Sequence, residues 1–157
     1  MDNIIITNIE IYKAIADEAY KKMTHFIESG RRPKSDGSTG WIITYDPNQN
    51  SFKQSMISIV FAGMWLEALI HLLIVKKYGK DKFKEYDFKA YEKKLILLGC
   101  TDNIILGRVS RFRKTRKSLV HEKAHFDSGE ITTAQSEAEN AHEMLVSIDG
   151  FFSNALC

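Results

Sequence analysis

The segment from Arg108 to His125 contains the side chains in this sequence that are best suited to act on an anion. Residues 108–123 include seven lysines and arginines and a single acid, Glu122, so their formal charge is +6. Residues 124–157 include six acids and no lysine or arginine. Such a block pattern is typical of a cationic surface for a polyanion, and also of a basic helix that packs beside an acidic one. Both interpretations stay open, and they can hold together.

Arg116 is the basic residue that the spacing sets on the apolar face of a helix. Apolar side chains recur around it at steps of three and four, at Ile105, Val109, Phe112 and Leu119. A guanidinium in that position needs an anion or several hydrogen-bond acceptors to offset its loss of water. The alternative is that the aliphatic stem packs on the bundle while the charged head reaches solvent.

His121 follows Arg116 by five residues and can exchange protons near neutral pH. On an unbroken helix the two side chains point about 140° apart. They can therefore act together only if the helix kinks or ends near Ser118, or if a second molecule supplies the other half of the site. Glu67 and Ser118 are candidate supporting residues. Glu67 is expected to orient Arg116 from a neighbouring helix, or else to be a buried partner of an arginine or of His71.

The same segment matches a zinc-binding pattern, His121-Glu122-Lys123-Ala124-His125. In H-E-x-x-H enzymes the two histidines bind zinc from one helical face, and the glutamate activates a water molecule. The charged Lys123 and the dense positive charge upstream both disfavour such a site here. A zinc hydrolase that uses His121 and His125 is therefore the minor alternative, and we otherwise predict no metal.

The elements that carry these residues are predicted to form one soluble domain. The 157-residue chain is 44% hydrophobic and 27% charged, as is typical of a domain with one hydrophobic core. Its most apolar stretch, residues 56–75, contains Glu67 and His71, so we predict a core helix and no membrane span. The N-terminus lacks the features of a signal peptide, and Cys100 and Cys157 make no disulfide framework. We therefore expect a cytoplasmic protein.

Helical spacing of the apolar residues predicts an all-α bundle of about five helices in a single domain, residues 1–157. We divide it into an N-terminal helix within 1–29, a loop over 30–50 and a bundle over 51–154. The helices of the bundle are predicted over residues 51–78, over 83–98, from Thr101 or Asp102, and from Thr132 or Thr133. The helix over 51–78 is apolar on more than one face, so we expect it at the centre. In the loop, Trp41-Ile42-Ile43 is predicted either to be extended or to pin the loop to the core.

The order of these residues resembles the HEPN superfamily, the higher eukaryote and prokaryote nucleotide-binding helical domains. The signature of that family is an arginine, four to six residues and a histidine, late in a helical bundle. Arg116-Lys-Ser-Leu-Val-His121 is similar to it. The apolar stretch SIVFAGMWLEALIHLLI, the run RKTRKSLVHE and the segment ITTAQSEAENA also resemble parts of such domains. The resemblance covers roughly residues 51–154.

This resemblance implies a HEPN-like fold and a metal-independent endoribonuclease without a cofactor, whose site forms across a homodimer. Arg116 would stabilise the RNA phosphate, and His121 would exchange protons. Four neighbouring residues would contact other phosphates: Arg111, Arg113, Lys114 and Lys117. The resemblance also implies a toxin–antitoxin or phage-defence setting, with an antitoxin or another regulatory protein as a partner. Many active members have Asn, Asp or His after the arginine, where this chain has Lys117, so a non-catalytic module that binds RNA, a nucleotide or a protein is the alternative.

Overall fold

Six helices and one short hairpin make up the part of the chain that the structure describes. The computed structural model describes residues 7–43, 46–120 and 134–153. In chain order the elements are α1 (Ile9–Ser29), β1 (Arg31–Pro33), β2 (Trp41–Ile43), α2 (Asn50–Tyr78), α3 (Lys80–Tyr86), α4 (Tyr91–Leu97), α5 (Asn103–Val120) and α6 (Ala134–Phe152). The prediction of an all-α bundle is confirmed, with six described helices where about five were expected.

Helix α2 lies at the centre of the bundle, as its apolar residues on more than one face predicted. It packs against α1, α3, α5 and α6, and its buried side chains include Trp65, Leu66 and Ile70. The Ser58 hydroxyl donates a hydrogen bond to the carbonyl oxygen of Ala16 at 3.1 Å, which joins α2 to α1 within the core. By length and composition alone α2 could also cross a membrane, but more than half of its most apolar window is buried inside the bundle.

Helices α5 and α6 present the apolar faces that their spacing predicted. Ile105, Val109 and Phe112 of α5 are buried, and Leu119 is partly buried against the same core. In α6 the apolar residues at steps of three and four are all buried, namely Ala138, Ala141, Leu145, Ile148 and Phe152. The predicted caps of α6, Thr132 and Thr133, lie outside the described residues. Because Arg116 follows Phe112 by about one turn, this packing sets Arg116 at the edge of the core.

The prediction of one helix over residues 83–98 is wrong, because the chain turns between α3 and α4. Ala90 has an extended backbone (φ −60°, ψ 152°), which interrupts the helical hydrogen bonding. Lys94 is only 8% exposed, and its Nζ donates a hydrogen bond to the carbonyl oxygen of Asp87 at 2.7 Å. This bond satisfies a carbonyl group at the end of α3 that has no helical partner. A side chain thus stabilises a break that the apolar spacing does not reveal.

Strands β1 and β2 form a small antiparallel hairpin beyond the C-terminus of α1. Arg32 pairs with Ile42, and the side chains of both strands are exposed. The extended form predicted for Trp41-Ile42-Ile43 is confirmed. The alternative, in which these residues pin the loop to the core, is wrong.

Candidate functional site

The side chain of Arg116 lies across Gly63 of α2. A Cβ atom built on Gly63 would be 2.9 Å from Nε of Arg116 and 3.1 Å from Cζ. Any larger residue at position 63 would therefore displace the guanidinium. The Arg116 side chain is 27% exposed, so it is neither fully buried nor free in solvent. Its predicted position on the apolar face of α5 is confirmed, and the missing side chain of Gly63 provides the space for it.

Arg116, Glu67 and Tyr91 form a closed three-way contact between α5, α2 and α4. Nη1 of Arg116 donates to Oε1 of Glu67 at 2.5 Å and to the Tyr91 hydroxyl at 2.6 Å. The Tyr91 hydroxyl in turn donates to the same Glu67 oxygen at 2.5 Å. The expected contact of Glu67 with Arg116 is therefore present. The contact with Tyr91 was not expected, because it depends on the turn between α3 and α4.

The charges in this contact follow from its hydrogen bonds. Burial alone would raise the pKa of Glu67, but hydrogen bonds from Tyr91 and Arg116, together with the charge of Arg116, hold that pKa below its ordinary value. Burial and the hydrogen bond to Glu67 raise the pKa of Tyr91 well above the ordinary tyrosine range. At neutral pH the group therefore consists of a guanidinium, a carboxylate and a neutral phenol. Arg116 donates hydrogen bonds to described residues from Nη1 alone, so its Nε and Nη2 groups have no hydrogen-bond partner among those residues.

We call the depression beside this contact the Arg116 cleft. It has a volume of about 920 Å³, and α2, α3, α4, α5 and the turn at 87–90 contribute most of its lining. Its charged lining residues are Lys89, Lys94, Arg113, Arg116, Lys117, Glu67 and Asp87. Five basic and two acidic residues give a formal net charge of +3, which favours an anionic ligand.

Lys94 and His71 are cleft residues that the sequence analysis did not assign to the site. Burial lowers the pKa of Lys94, and the nearby Asp87 and Glu67 carboxylates partly counter that effect. His71 lies within the apolar stretch of α2, but it is exposed, and its ring stacks on Phe83 with a centroid distance of 3.9 Å. Helical spacing alone could not assign either residue to the cleft, because the cleft depends on how α3 packs on α2 and how α4 packs on α5.

Arg111, one of the predicted phosphate contacts, is ion-paired with α6 in the structure. Arg111 donates from Nε and Nη2 to the carboxylate of Glu137 on α6, at 3.0 Å and 2.6 Å to Oε1. Glu137 is only 4% exposed and also accepts a hydrogen bond from Thr115 at 2.6 Å. Arg111 is therefore committed to a buried carboxylate and does not line the Arg116 cleft. At this position the basic α5 packs beside the acidic α6. The ion pair of Arg108 with Glu143 joins the same two helices.

The other three predicted phosphate contacts differ from one another. Arg113 lines the cleft but is ion-paired with Glu92 of α4 at 3.2 Å. Lys117 lines the cleft, is exposed, and makes no ion pair with a described residue. Lys114 is exposed and lies outside the cleft lining. The hydroxyl of Ser118 donates to the carbonyl oxygen of Lys114 at 3.2 Å, so among described residues it supports its own helix and does not contact Arg116.

His121, Glu122 and His125 lie outside the described residues, so the second half of the catalytic pair and the zinc pattern have no structural account. Helix α5 does continue through Ser118 to Val120. The chain is therefore helical at Ser118 itself, and the position at which the helix ends relative to His121 lies outside the described residues. Within the described ranges no group of three or more His, Cys, Asp and Glu side chains is close enough to hold a metal ion.

The chemistry of the described site suits a phosphate group and the stabilisation of negative charge on it. Arg116 provides two hydrogen-bond donors on a side chain that Gly63, Glu67 and Tyr91 hold in place, and this arrangement suits bidentate contact with phosphate oxygens. Lys117, which makes no ion pair with a described residue, adds a positive charge on the same wall. Comparison of the chain with protein-family models, with curated proteins and with solved structures gives no match, so the interpretation of the site depends on its geometry and chemistry.

Proposed function

We propose that this domain binds RNA in the Arg116 cleft and cleaves it without a metal ion. The observation that carries the proposal is the position of Arg116, which is held by Glu67 and Tyr91 at the wall of a cleft with net charge +3. A preorganised guanidinium stabilises charge that develops on a phosphate without having to rearrange during the reaction. The spacing from Arg116 to His121 and the helical bundle support a HEPN-like domain as part of the same proposal.

The proposed reaction uses the RNA itself as the nucleophile. The 2′-oxygen attacks the adjacent phosphorus, the new oxygen–phosphorus bond forms, and the bond to the 5′-oxygen breaks. One group must accept the proton of the 2′-hydroxyl, and another must donate a proton to the departing 5′-oxygen. A histidine side chain is suited to either task, because imidazole exchanges protons near neutral pH, and we assign these tasks to His121. Because α5 is unbroken at Ser118, we propose that a second copy of the chain supplies the His121 that acts beside Arg116.

A second candidate function is RNA binding without cleavage. The ion pair of Arg116 with Glu67 favours it, because a carboxylate 2.5 Å from Nη1 offsets part of the charge that would stabilise a reacting phosphate. In this case Lys117 and the other cleft lysines provide most of the affinity, and binding depends strongly on salt.

The two candidates separate in a cleavage assay of the purified chain on labelled RNA, with EDTA present. We expect the wild type to cleave, and Arg116→Ala and His121→Ala to lose activity by at least about 100-fold. Arg31→Ala changes an exposed arginine of β1 outside the cleft lining and is the matched control, purified in the same way. Salt-sensitive binding with no cleavage would favour the second candidate. Activity that EDTA abolishes and zinc restores would contradict the metal-independent mechanism.

A further inference from the structure

We propose that the Arg116 cleft contains a base-stacking subsite, so that it binds a nucleotide unit through its base as well as through its phosphate. The inference rests on the proposed binding of RNA in this cleft and names what the cleft recognises. The subsite consists of Phe88 and of the ring pair formed by His71 and Phe83, all of which line the cleft.

Phe88 is the most exposed large apolar side chain among the described residues, with 97% of its surface accessible. Its backbone is nevertheless held in place. The Lys89 amide donates to the carbonyl oxygen of Tyr86 at 2.9 Å, and Nζ of Lys94 donates to the carbonyl oxygen of Asp87 at 2.7 Å. The turn therefore presents an aromatic ring on a fixed backbone, with both faces free of protein packing. Such a ring suits stacking against a flat partner.

His71 and Phe83 provide a second aromatic surface in the same cleft. Their rings are stacked, with centroids 3.9 Å apart and planes inclined by 17°. Nζ of Lys94 lies 6.0 Å from the centroid of the Phe83 ring, so a positive charge is next to the stack. His71 is exposed, so part of its ring is accessible to a further flat ring that extends the stack. Stacking of a base on an aromatic side chain contributes about 1–3 kcal/mol.

The mixture of charge and aromatic surface identifies the ligand. A polyphosphate would use the basic residues but not the rings. A purely apolar ligand would leave Lys89 and Lys117, which make no ion pair with a described residue, without an anionic partner. A nucleotide uses both, with its phosphate at Arg116 and Lys117 and its base at the aromatic residues. The cleft volume of about 920 Å³ lies within the range of about 300–1,000 Å³ that is typical of ligand pockets. Stacking needs an unpaired base, so the matching substrate is single-stranded RNA.

The test measures binding to the His121→Ala chain, so that cleavage does not interfere. The ligands are a labelled single-stranded oligoadenylate, inorganic polyphosphate, adenosine monophosphate and ribose 5-phosphate. We expect Phe88→Ala to weaken oligoadenylate binding by about 5- to 100-fold and to leave polyphosphate binding unchanged. The salt dependence should stay the same, because no phosphate contact is lost. Phe88→Tyr should bind like the parent chain, whereas Phe88→Leu should resemble Phe88→Ala. Phe151→Ala, an exposed phenylalanine outside the cleft lining, is the matched control.

The smaller ligands show whether a free nucleotide or only an RNA chain occupies the subsite. Adenosine monophosphate that competes better than ribose 5-phosphate, and only when Phe88 is present, supports the subsite for free nucleotides. Competition by the oligoadenylate alone supports it for RNA. Equal loss of oligoadenylate and polyphosphate binding in Phe88→Ala would overturn the inference. Unchanged binding of both ligands in Phe88→Ala would also overturn it, and so would the absence of RNA binding by the parent chain. RNA cleavage that does not depend on Phe88 would overturn the subsite and leave the ribonuclease proposal standing. Phe88-dependent binding by a chain that never cleaves RNA would support the subsite and overturn the ribonuclease proposal.

Discussion

Arg116 of α5 lies on Gly63 of α2, with its Nε atom 2.9 Å from the point where a Cβ of residue 63 would be. The guanidinium reaches Glu67, one turn further along α2, only because no side chain occupies position 63. Gly63 is therefore part of the site, although it has no functional group. Glycine in a helix interior lowers stability by roughly 0.5–1 kcal/mol relative to alanine, so its presence at this position has a thermodynamic cost.

Gly63→Ala should lower RNA cleavage while leaving the fold intact. The added methyl group displaces Arg116 from its contacts with Glu67 and Tyr91, and a misplaced guanidinium stabilises the reacting phosphate less well. We expect cleavage to fall by about tenfold to a hundredfold. The free energy of unfolding should change by less than about 1 kcal/mol, because the gain in helix propensity offsets the lost contacts. Cleavage assays and denaturant unfolding of the same preparations measure the two effects.

The matched control for this substitution is Gly107→Ala in α5. A Cβ on Gly107 would have no atom within 4 Å, so only helix propensity changes. We expect Gly107→Ala to raise the free energy of unfolding by about 0.5–1 kcal/mol and to leave cleavage unchanged. Wild-type activity in Gly63→Ala would show that the position of Arg116 over α2 is not needed.

Much of this arrangement follows from local sequence patterns, but the space that Gly63 leaves for Arg116 does not. The steps of three and four residues that include Phe112 and Arg116 correctly predict which face of α5 meets the core. They do not predict which residue of α2 lies opposite Arg116, because the register between two helices is set by the packing of the whole bundle. In the sequence, Gly63 is only a glycine within a long apolar helix.

Tyr91→Phe should separate the positioning of Arg116 from RNA binding. The substitution removes the hydrogen bond from Arg116 and the one to Glu67, but keeps the aromatic ring. We expect the cleavage rate to fall by about threefold to tenfold, while RNA affinity changes by less than about twofold. The free energy of unfolding should fall by about 1–2 kcal/mol, because both bonds involve charged groups.

Tyr78→Phe is the control for this change, since the Tyr78 hydroxyl donates to the carbonyl oxygen of Leu97 at 2.8 Å outside the cleft lining. It should lower the free energy of unfolding by about 1 kcal/mol and leave cleavage intact. If the two variants lose activity equally, Tyr91 has no special role in holding Arg116.

Tyr91 also shows where sequence patterns stop being informative. The predicted helix over residues 83–98 would have carried Tyr91 along a continuous apolar face. Instead the chain turns at 87–90, and a buried Lys94 holds the end of α3 through its bond to the Asp87 carbonyl. Because lysine is rarely buried, a lysine in the sequence does not indicate a core position or this contact. The third member of the Arg116 contact therefore depends on tertiary structure.

Arg111 and Lys117 should respond to alanine substitution in opposite ways. Arg111→Ala removes an ion-pair partner from the buried Glu137, so the free energy of unfolding should fall by about 1–2 kcal/mol while RNA affinity hardly changes. Lys117→Ala should change that free energy by less than about 0.5 kcal/mol. It should weaken RNA binding and reduce the slope of log affinity against log salt by about 1. Binding titrations at several salt concentrations measure the slopes. A reduced slope for Arg111→Ala would support the prediction that Arg111 contacts phosphate.

The contact of Glu67 with Arg116 and Tyr91 should make part of the stability depend on acid pH. Hydrogen bonds from those two residues hold the pKa of Glu67 below its ordinary value near 4.5. A carboxyl group whose pKa is lower in the folded state contributes stability that is fully present above its unfolded pKa. This contribution is lost as the pH falls through the folded pKa. Between pH 7 and pH 3 the wild type should therefore lose more free energy of unfolding than Glu67→Gln, in which residue 67 does not titrate.

The size of this difference is limited by solvent, because the Glu67 side chain is about half exposed and its ion pair is partly screened. We expect a difference below about 1 kcal/mol, measured by urea unfolding of both chains at pH 7, 5, 4 and 3. Other carboxyl groups are present in both chains and cancel in the comparison. When Glu67 and Glu67→Gln are compared in an Arg116→Ala background, the difference in pH dependence should be smaller, because the positive charge that pairs with Glu67 is absent. Parallel pH curves for wild type and Glu67→Gln would contradict the three-way contact, since an uncoupled Glu67 would have the same pKa in the folded and unfolded chains.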